Sequence, residues 1–214
     1  YKYSDKITHV LTAHEQGAAH AADGYARASG KCGVVIATSG PGATNLVTGI
    51  ANAYLDSVPM VAVTGNVPNF LIGRDSFQEV DIAGITMPIV KHGFIVKSID
   101  ELADTLREAF RIAISGRTGP VLVDIPKDVQ TAEIKYIPAE KVKKSKMRKP
   151  SATLINQAAK LIEKSKKPFI YCGGGAIAAN AEKEIAELAE IIDAPIGTSM
   201  MGLTAVSADN PNML

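Results

Sequence analysis

Cysteine is scarce in this chain of 214 residues: Cys32 and Cys172 are the only two, far apart and each beside an apolar run. That excludes a disulfide framework and reads as two buried free thiols in a reducing compartment. Excess charge of one sign is also lacking. A net charge of +1 supplies no field that would gather nucleic acid or an anionic membrane surface, so neither partner is expected. No apolar run reaches the roughly 18–20 residues that cross a bilayer, and no secretory leader is expected. Histidines 9, 14, 20 and 92 form no H-E-x-x-H arrangement and neither cysteine has a ligand partner nearby; a metal site built from this stretch alone is not expected. No glycine turn continues into Gly-Lys-Ser/Thr, and no G-x-S-x-G elbow occurs, which excludes a P-loop and a hydrolase nucleophile turn.

What is present is ordinary in bulk: 46% hydrophobic and 21% charged residues, enough to bury the core of one large domain or two modest ones. The chain opens on YKYSDKITHV without a methionine and stops at NPNML within a pattern, so a fragment of a longer polypeptide is expected. Strand-length apolar runs alternate with helical patterns. ITHVLTA (7–13) predicts a strand, followed by a helix from about Glu15 to Ser29. GVVIATS (33–39), apolar on both faces, predicts a central strand of a parallel sheet. A helix is expected over about 43–54, then strands at 58–65, 93–98 and 119–126. Between the last two lies a helix carrying Leu102, Leu106, Ala109, Phe110 and Ala113 on one stripe, with Asp100 as its cap. The alternation predicts an α/β domain over 1–130 with helices on both faces of a parallel sheet. Residues 131–150 hold many lysines, two prolines and no apolar period, as a solvated linker does. A second α/β unit begins at 151 and runs to 214, with a helix at 151–165, strands at 168–175 and 194–196, and a helical stripe of Ile177, Ala181, Ile185, Leu188 and Ile192. Too short to bury much surface alone, it reads as the start of a domain.

The helix at 15–29 is unusual in that its apolar face is mostly alanine: Ala18, Ala19, Ala22 and Ala26, with Tyr25. Such a face lets a neighbour come very close. Glu15 at its head has a plain explanation, a carboxylate complementing the positive end of the helix dipole. Its position suggests another. In open parallel sheets ligands sit outside the carboxyl ends of the strands, and four segments project to that edge: Glu15, SGPGATN (39–45), TGNVP (64–68) and DIPKD (124–128). Glycine turns allow close backbone approach, and Asn45, expected in the first turn of its helix, can donate to a ligand. GGG at 173–175 has the position of a dinucleotide turn without the full G-x-G-x-x-G, so a structural turn and a binding turn both remain open. These residues lead to a ligand-binding α/β domain with an acid at its cleft, and no further.

The stretches HEQGAAHAADGYARASGK, GVVIATSGPGATNLVTGIANAYLDSVPMVAVTGNVP, SFQEVDIAGIT and SGRTGPVLVDIPKDVQ resemble the acetolactate synthase family, the catalytic (large) subunits of acetohydroxyacid synthase. The match runs almost unbroken from His14 to Gln130, while 151–214 resembles the start of the family's central domain more loosely. The resemblance implies an enzyme that uses thiamine diphosphate to decarboxylate pyruvate. The two-carbon unit joins a second pyruvate or 2-oxobutyrate, in valine, leucine and isoleucine synthesis. It further implies Mg²⁺ held by residues outside this chain, FAD, a homodimer or tetramer with a shared active site, and a possible small regulatory subunit. The implied location is the cytoplasm, or a plastid or mitochondrion in a eukaryote.

Residue by residue, Glu15 falls on the family's cofactor glutamate, which hydrogen-bonds N1′ of the aminopyrimidine and so promotes loss of the thiazolium C2 proton. Pro41 and Asn45 match residues lining the thiamine pocket, and Gln78 an active-site glutamine. Phe77 and Lys127 match the substrate channel, where some members bind herbicides, and Pro68 matches a herbicide-contact proline. Arg117 matches an FAD-contacting arginine, and Gly173, Gly174 and Gly175 the flavin-side turn. Absent the resemblance, Phe77 reads as core and Arg117 and Lys127 as surface charges. Two departures stand out. Arg74 and Ser76 replace the threonine and alanine usual before Phe-Gln-Glu, which bears on inhibitor response. The family's glycine-rich active-site loop and its Mg²⁺ ligands lie outside these residues, so the chain alone is expected to be inactive. Pyruvate oxidase, the FAD-free catabolic acetolactate synthase, and a non-catalytic fragment are the alternative readings.

Overall fold

The computed structural model describes residues 5–139 and 149–214. The expected linker at 131–150 lies partly outside these residues. The chain divides into two compact units, 1–146 and 147–214.

The first unit is built on four parallel strands: Gly33–Ala37 (β1), Met60–Asn66 (β2), His92–Ile95 (β3) and Pro120–Pro126 (β4), in the order β1-β2-β4-β3. β4 is buried along all seven residues, as an apolar run covered on both faces must be. Alternate residues feed two cores. Val35, Met60, Ala62 and Leu122 pack with the helix Glu15–Ser29 (α1). Val61, Val121, Val123 and Ile125 pack on the opposite face.

On the α1 side, the chain after β1 forms two helices, Pro41–Thr44 (α2) and Val47–Leu55 (α3), where one over 43–54 was expected. Leu46, Ile50 and Ala53 of this region are fully buried. The alanine face of α1 does what its composition predicts. A Cβ added at Gly49 of α3 would lie 2.4 Å from the Ala19 Cβ, so the two helices meet with no room for another methyl. Buried Asp23 adds a polar tie, accepting from Asn52 of α3 at 2.9 Å and pairing with Arg27, which also pairs with Asp56.

The other face is covered by the helix Ile99–Ile114 (α5), the fifth in chain order after Ile82–Thr86 (α4). Its N-cap is Ser98, whose hydroxyl accepts from the Asp100 N–H, and not Asp100 itself. Asp100 instead lies in the first turn, where its charge complements the dipole. A short helix, Lys127–Thr131 (α6), follows β4 directly.

Two strand expectations fail for one physical reason. β1 is an edge strand, not a central one, with Val34 48% and Ile36 71% exposed on the α5 side of the sheet, where α5 packs over β2, β4 and β3 instead. Residues 7–12 form no strand, and Ile7, Val10 and Leu11 are exposed. An apolar period marks a strand's capacity to be buried, whereas actual pairing requires a neighbour with free backbone groups in the right place.

The second unit holds Ala152–Glu163 (α7), Ile170–Cys172 (β5), Gly174–Ala178 (α8), Glu182–Ile192 (α9) and Ile196–Thr198 (β6), with β5 parallel to β6. The stripe expected from Ile177 to Ile192 is two helices, separated where Asn180 takes φ +51°. Cys172, Ala189 and Ile196 form its small core.

Candidate functional site at the carboxyl edge of the sheet

Glu15 is the first residue of α1, after His14, whose Nδ1 accepts the Gln16 N–H as N-cap. That is the dipole-complementing position, but the side chain has a more specific partner. Asn45, at the junction of α2 and α3, donates its Nδ2 to Glu15 Oε2 at 3.0 Å. This is a C-terminal position of α2, not the first helical turn expected for Asn45. The amide bond, followed by the backbone N–H of Glu15, holds the Glu15 carboxyl below its ordinary range. The side chain is therefore an ionised, oriented acceptor.

The turn SGPG carries both halves of this arrangement. Gly40 has φ +60° and ψ −119°, a conformation essentially restricted to glycine. Pro41 then occupies the first position of α2, where its fixed φ suits helix initiation. A Cβ built on Gly42 would lie 3.4 Å from Glu15 Oε1, and one built on Gly40 would lie 2.7 Å from the backbone oxygen of Gln78. The turn is thus sandwiched between the Glu15 carboxylate and the loop that carries Phe77 and Gln78. Phe77 is 88% exposed, which rules out the core reading.

Beside this turn lies a cleft of about 660 Å³ lined by residues from the ends of β1, β2 and β4 and by Lys127 and Gln130 of α6. Lys127 is exposed there because β4 passes straight into α6 with no intervening loop. Asp128 accepts from the backbone and side chain of Asn69, tying α6 to the turn after Pro68.

β4 also holds a buried polar group that sequence reading passed over. Asp124 is fully buried in β4, accepting from Thr64 Oγ1 at 2.6 Å and Asn66 Nδ2 at 2.5 Å across the β2–β4 register. Asn66 in turn accepts the Val67 N–H at 2.8 Å. Burial pushes the Asp124 carboxyl up, against the pull of those two donors. An acid inside the apolar run VLVDIP was the available signal, since such a residue persists only with partners.

Arg117 does not join this site. It precedes β4 at the opposite end of the sheet, about 20 Å away by strand rise over seven residues. Its Nε donates to Ser57 Oγ at 2.7 Å, and it lines a separate cleft of about 310 Å³ with Tyr54, Val90, Lys91 and Thr118. Gly173, Gly174 and Gly175 belong to the second unit. There Gly173 caps α8 and a Cβ on Gly174 would come within 3.3 Å of the Met201 Cβ, so this turn is at least a packing device. Among the described residues no group of three or more His, Cys, Asp or Glu side chains could hold a metal ion, and no helix is long and apolar enough to cross a membrane.

Residues 1–85 match the profile of the thiamine pyrophosphate enzyme N-terminal TPP binding domain, and residues 155–214 match that of the central domain. The chain belongs to the thiamine pyrophosphate enzymes. Within this family it is 54% identical over 211 residues to an acetolactate synthase of Arthrospira platensis, covering 96% of this chain and 36% of that protein. It is 55% identical over 203 residues to the acetolactate synthase large subunit of Corynebacterium glutamicum (94% and 32%). A probable acetolactate synthase large subunit of Methanocaldococcus jannaschii is 52% identical over 217 residues (98% and 36%). The chain thus spans about a third of the length of these curated relatives. In an open parallel sheet the carboxyl edge, where Glu15 and the cleft both lie, is the expected place for a ligand.

Proposed function

We propose that this chain supplies the pyrimidine-binding side of the active site of an acetolactate synthase. The activity is decarboxylation of pyruvate and ligation of its two-carbon unit to pyruvate or 2-oxobutyrate, in branched-chain amino-acid synthesis. The observation that carries the reading is the ionised Glu15 carboxylate, fixed by Asn45 beside the glycine turn that follows β1. The large-subunit relatives support the choice within the family.

The residues fit the aminopyrimidine of thiamine diphosphate: one oriented acceptor, a turn without side-chain bulk, and an apolar alanine helix beneath. When bound, the cofactor supplies the carbon nucleophile that a protein side chain cannot. Glu15 would hold the ring at N1′ through a proton shared between the carboxylate and that nitrogen, and so would set the proton balance of the ring. Asn45 keeps the carboxylate pointed there, and Pro41 shapes the turn. Lys127 presents a cation at the cleft where a 2-oxo acid carboxylate would lie; in this reading Gln78 is an active-site amide and Phe77 and Pro68 belong to the substrate entrance. The Mg²⁺ and diphosphate ligands belong to residues outside this chain, in the manner of a homo-oligomer with a shared site. In this reading Arg117 of the first unit and the 173–175 turn of the second are each assigned to flavin. A regulatory subunit and a cytoplasmic location complete it.

The test uses the full-length enzyme. Glu15→Gln keeps the side-chain shape and loses the charge. Deuterium exchange at cofactor C2 and acetolactate formation should both fall by about a hundredfold or more. Unchanged exchange would return Glu15 to a helix-dipole role, and pyruvate oxidation without acetolactate would assign the chain to a different thiamine enzyme.

A further inference from the structure

The segment from Gly73 to Glu79 has little that should hold it in one shape. Its largest apolar side chain, Phe77, points into solvent, and Arg74, Asp75 and Gln78 are exposed as well. Its backbone is nonetheless confined to left-handed conformations at Gly73 (φ +79°), Asp75 (φ +55°) and Gln78 (φ +58°), two of them non-glycine positions. Such residues persist only where surrounding contacts over-determine them. Local carbonyl bonds contribute: Arg74 N–H to Leu71 O at 3.1 Å and Glu79 N–H to Ser76 O at 3.0 Å. Neither explains why the loop curls back on itself.

The missing organiser is Glu79. Its carboxylate turns inward and accepts the backbone N–H of Gly73, and that of Ser76 at 2.7 Å, one on each oxygen. Two backbone N–H groups thus converge on one anion, as they do around a bound phosphate or carboxylate in a nest of N–H groups. These backbone donors, Ser76 first and then Gly73, hold the Glu79 carboxyl below its ordinary range. The other side of the same loop is set against the SGPG turn, where the Gln78 carbonyl occupies the space a Cβ on Gly40 would need.

We propose that Glu79 is a positioning residue: its carboxylate acts as a built-in anion that folds the 73–79 loop and so sets Gln78 and Phe77 at the cleft. The inference rests on the functional reading of Gln78 and Phe77 given above. Glu79 itself does not meet substrate, because both its oxygens are engaged by its own loop. Glu79→Ala removes both acceptors. Glu79→Gln keeps one acceptor oxygen and places an NH₂ against a backbone donor, so it falls between Ala and wild type.

Two measurements on the full-length enzyme test this. The first is trypsin cleavage after Arg74, inside the loop. Glu79→Ala should accelerate that cut about tenfold or more, with Glu79→Gln intermediate and the cut after Arg27 in α1 unchanged. An unaltered rate after Arg74 overturns the positioning role whatever Gln78 does. The second is kinetic, with Gln78→Ala as reference. Glu79→Ala should lower kcat/KM for pyruvate by a factor similar to Gln78→Ala, and the double variant should lose no more than either alone. C2 exchange, which depends on Glu15, should stay within about twofold of wild type in Glu79→Ala. Wild-type kcat/KM in Glu79→Ala beside an impaired Gln78→Ala sinks the inference while leaving the functional reading intact. An active Gln78→Ala with a loosened Arg74 site does the reverse.

Discussion

Asn45 and Glu15, thirty residues apart, meet at 3.0 Å because α1 and the α2–α3 junction both open at the carboxyl edge of the sheet. The amide donor fixes which way the carboxylate faces and keeps it ionised. One hydrogen bond therefore couples the glycine turn after β1 to the acid at the head of α1.

Replacing Asn45 by Ala should raise the Glu15 carboxyl toward its ordinary range, since the Asn45 amide is the largest cause of its depression. A depressed acid stabilises the fold above its unfolded-state value, and that stabilisation is lost as pH falls through the folded-state value. In Asn45→Ala this contribution shrinks. NMR titration of carboxyl-labelled glutamate between about pH 3 and 6 reads the shift directly. An unmoved Glu15 resonance would disprove the coupling.

Asp124 has the opposite sign. Burial raises its carboxyl, so the folded protein holds that proton longer than the unfolded chain. The associated stability is complete below the unfolded-state value and is lost as pH rises through the raised one. Asp124→Asn should flatten this dependence. Asp124→Ala strands the Thr64 hydroxyl and the Asn66 amide and should cost about 2–4 kcal/mol. Urea denaturation of the three proteins at about pH 5 and 8 separates the cases.

Ala19→Leu should destabilise the first unit by about 1–3 kcal/mol through overpacking, because Gly49 already leaves no space opposite Ala19. The exposed Ala21 on the same helix is the control, where Leu should change stability by less than about 0.5 kcal/mol. Equal melting temperatures for Ala19→Leu and wild type would show that the α1–α3 contact has slack.

Burial pushes the Cys32 thiol up to about 11. At pH 8 its thiolate is then about a hundredfold scarcer than that of an ordinary cysteine, and alkylation should be slower in proportion. In a Cys172→Ala background, the rate of reaction with a maleimide should rise by about that factor on unfolding in urea. Equal native and unfolded rates would place Cys32 at the surface.

The amino-acid sequence by itself determined the alternation of strand and helix and the alanine seam of α1, because each is a local period of residue types. Gln78 and Lys127 drew notice only through the family resemblance of the motifs that carry them, whereas Glu15 stood out by its place at the head of α1. The tertiary structure decided what local pattern cannot encode. β1 lies at the edge because strand order depends on non-local pairing. Residues 7–12 stay unpaired for want of a neighbour. Arg117 and Lys127, ten residues apart in one motif, stand at opposite ends of the sheet because a strand rises about 3.3 Å per residue between them. Asn45 and Asp124 acquired their partners only once the chain had closed around them, since a hydrogen bond between segments 30 or 60 residues apart leaves no trace in spacing.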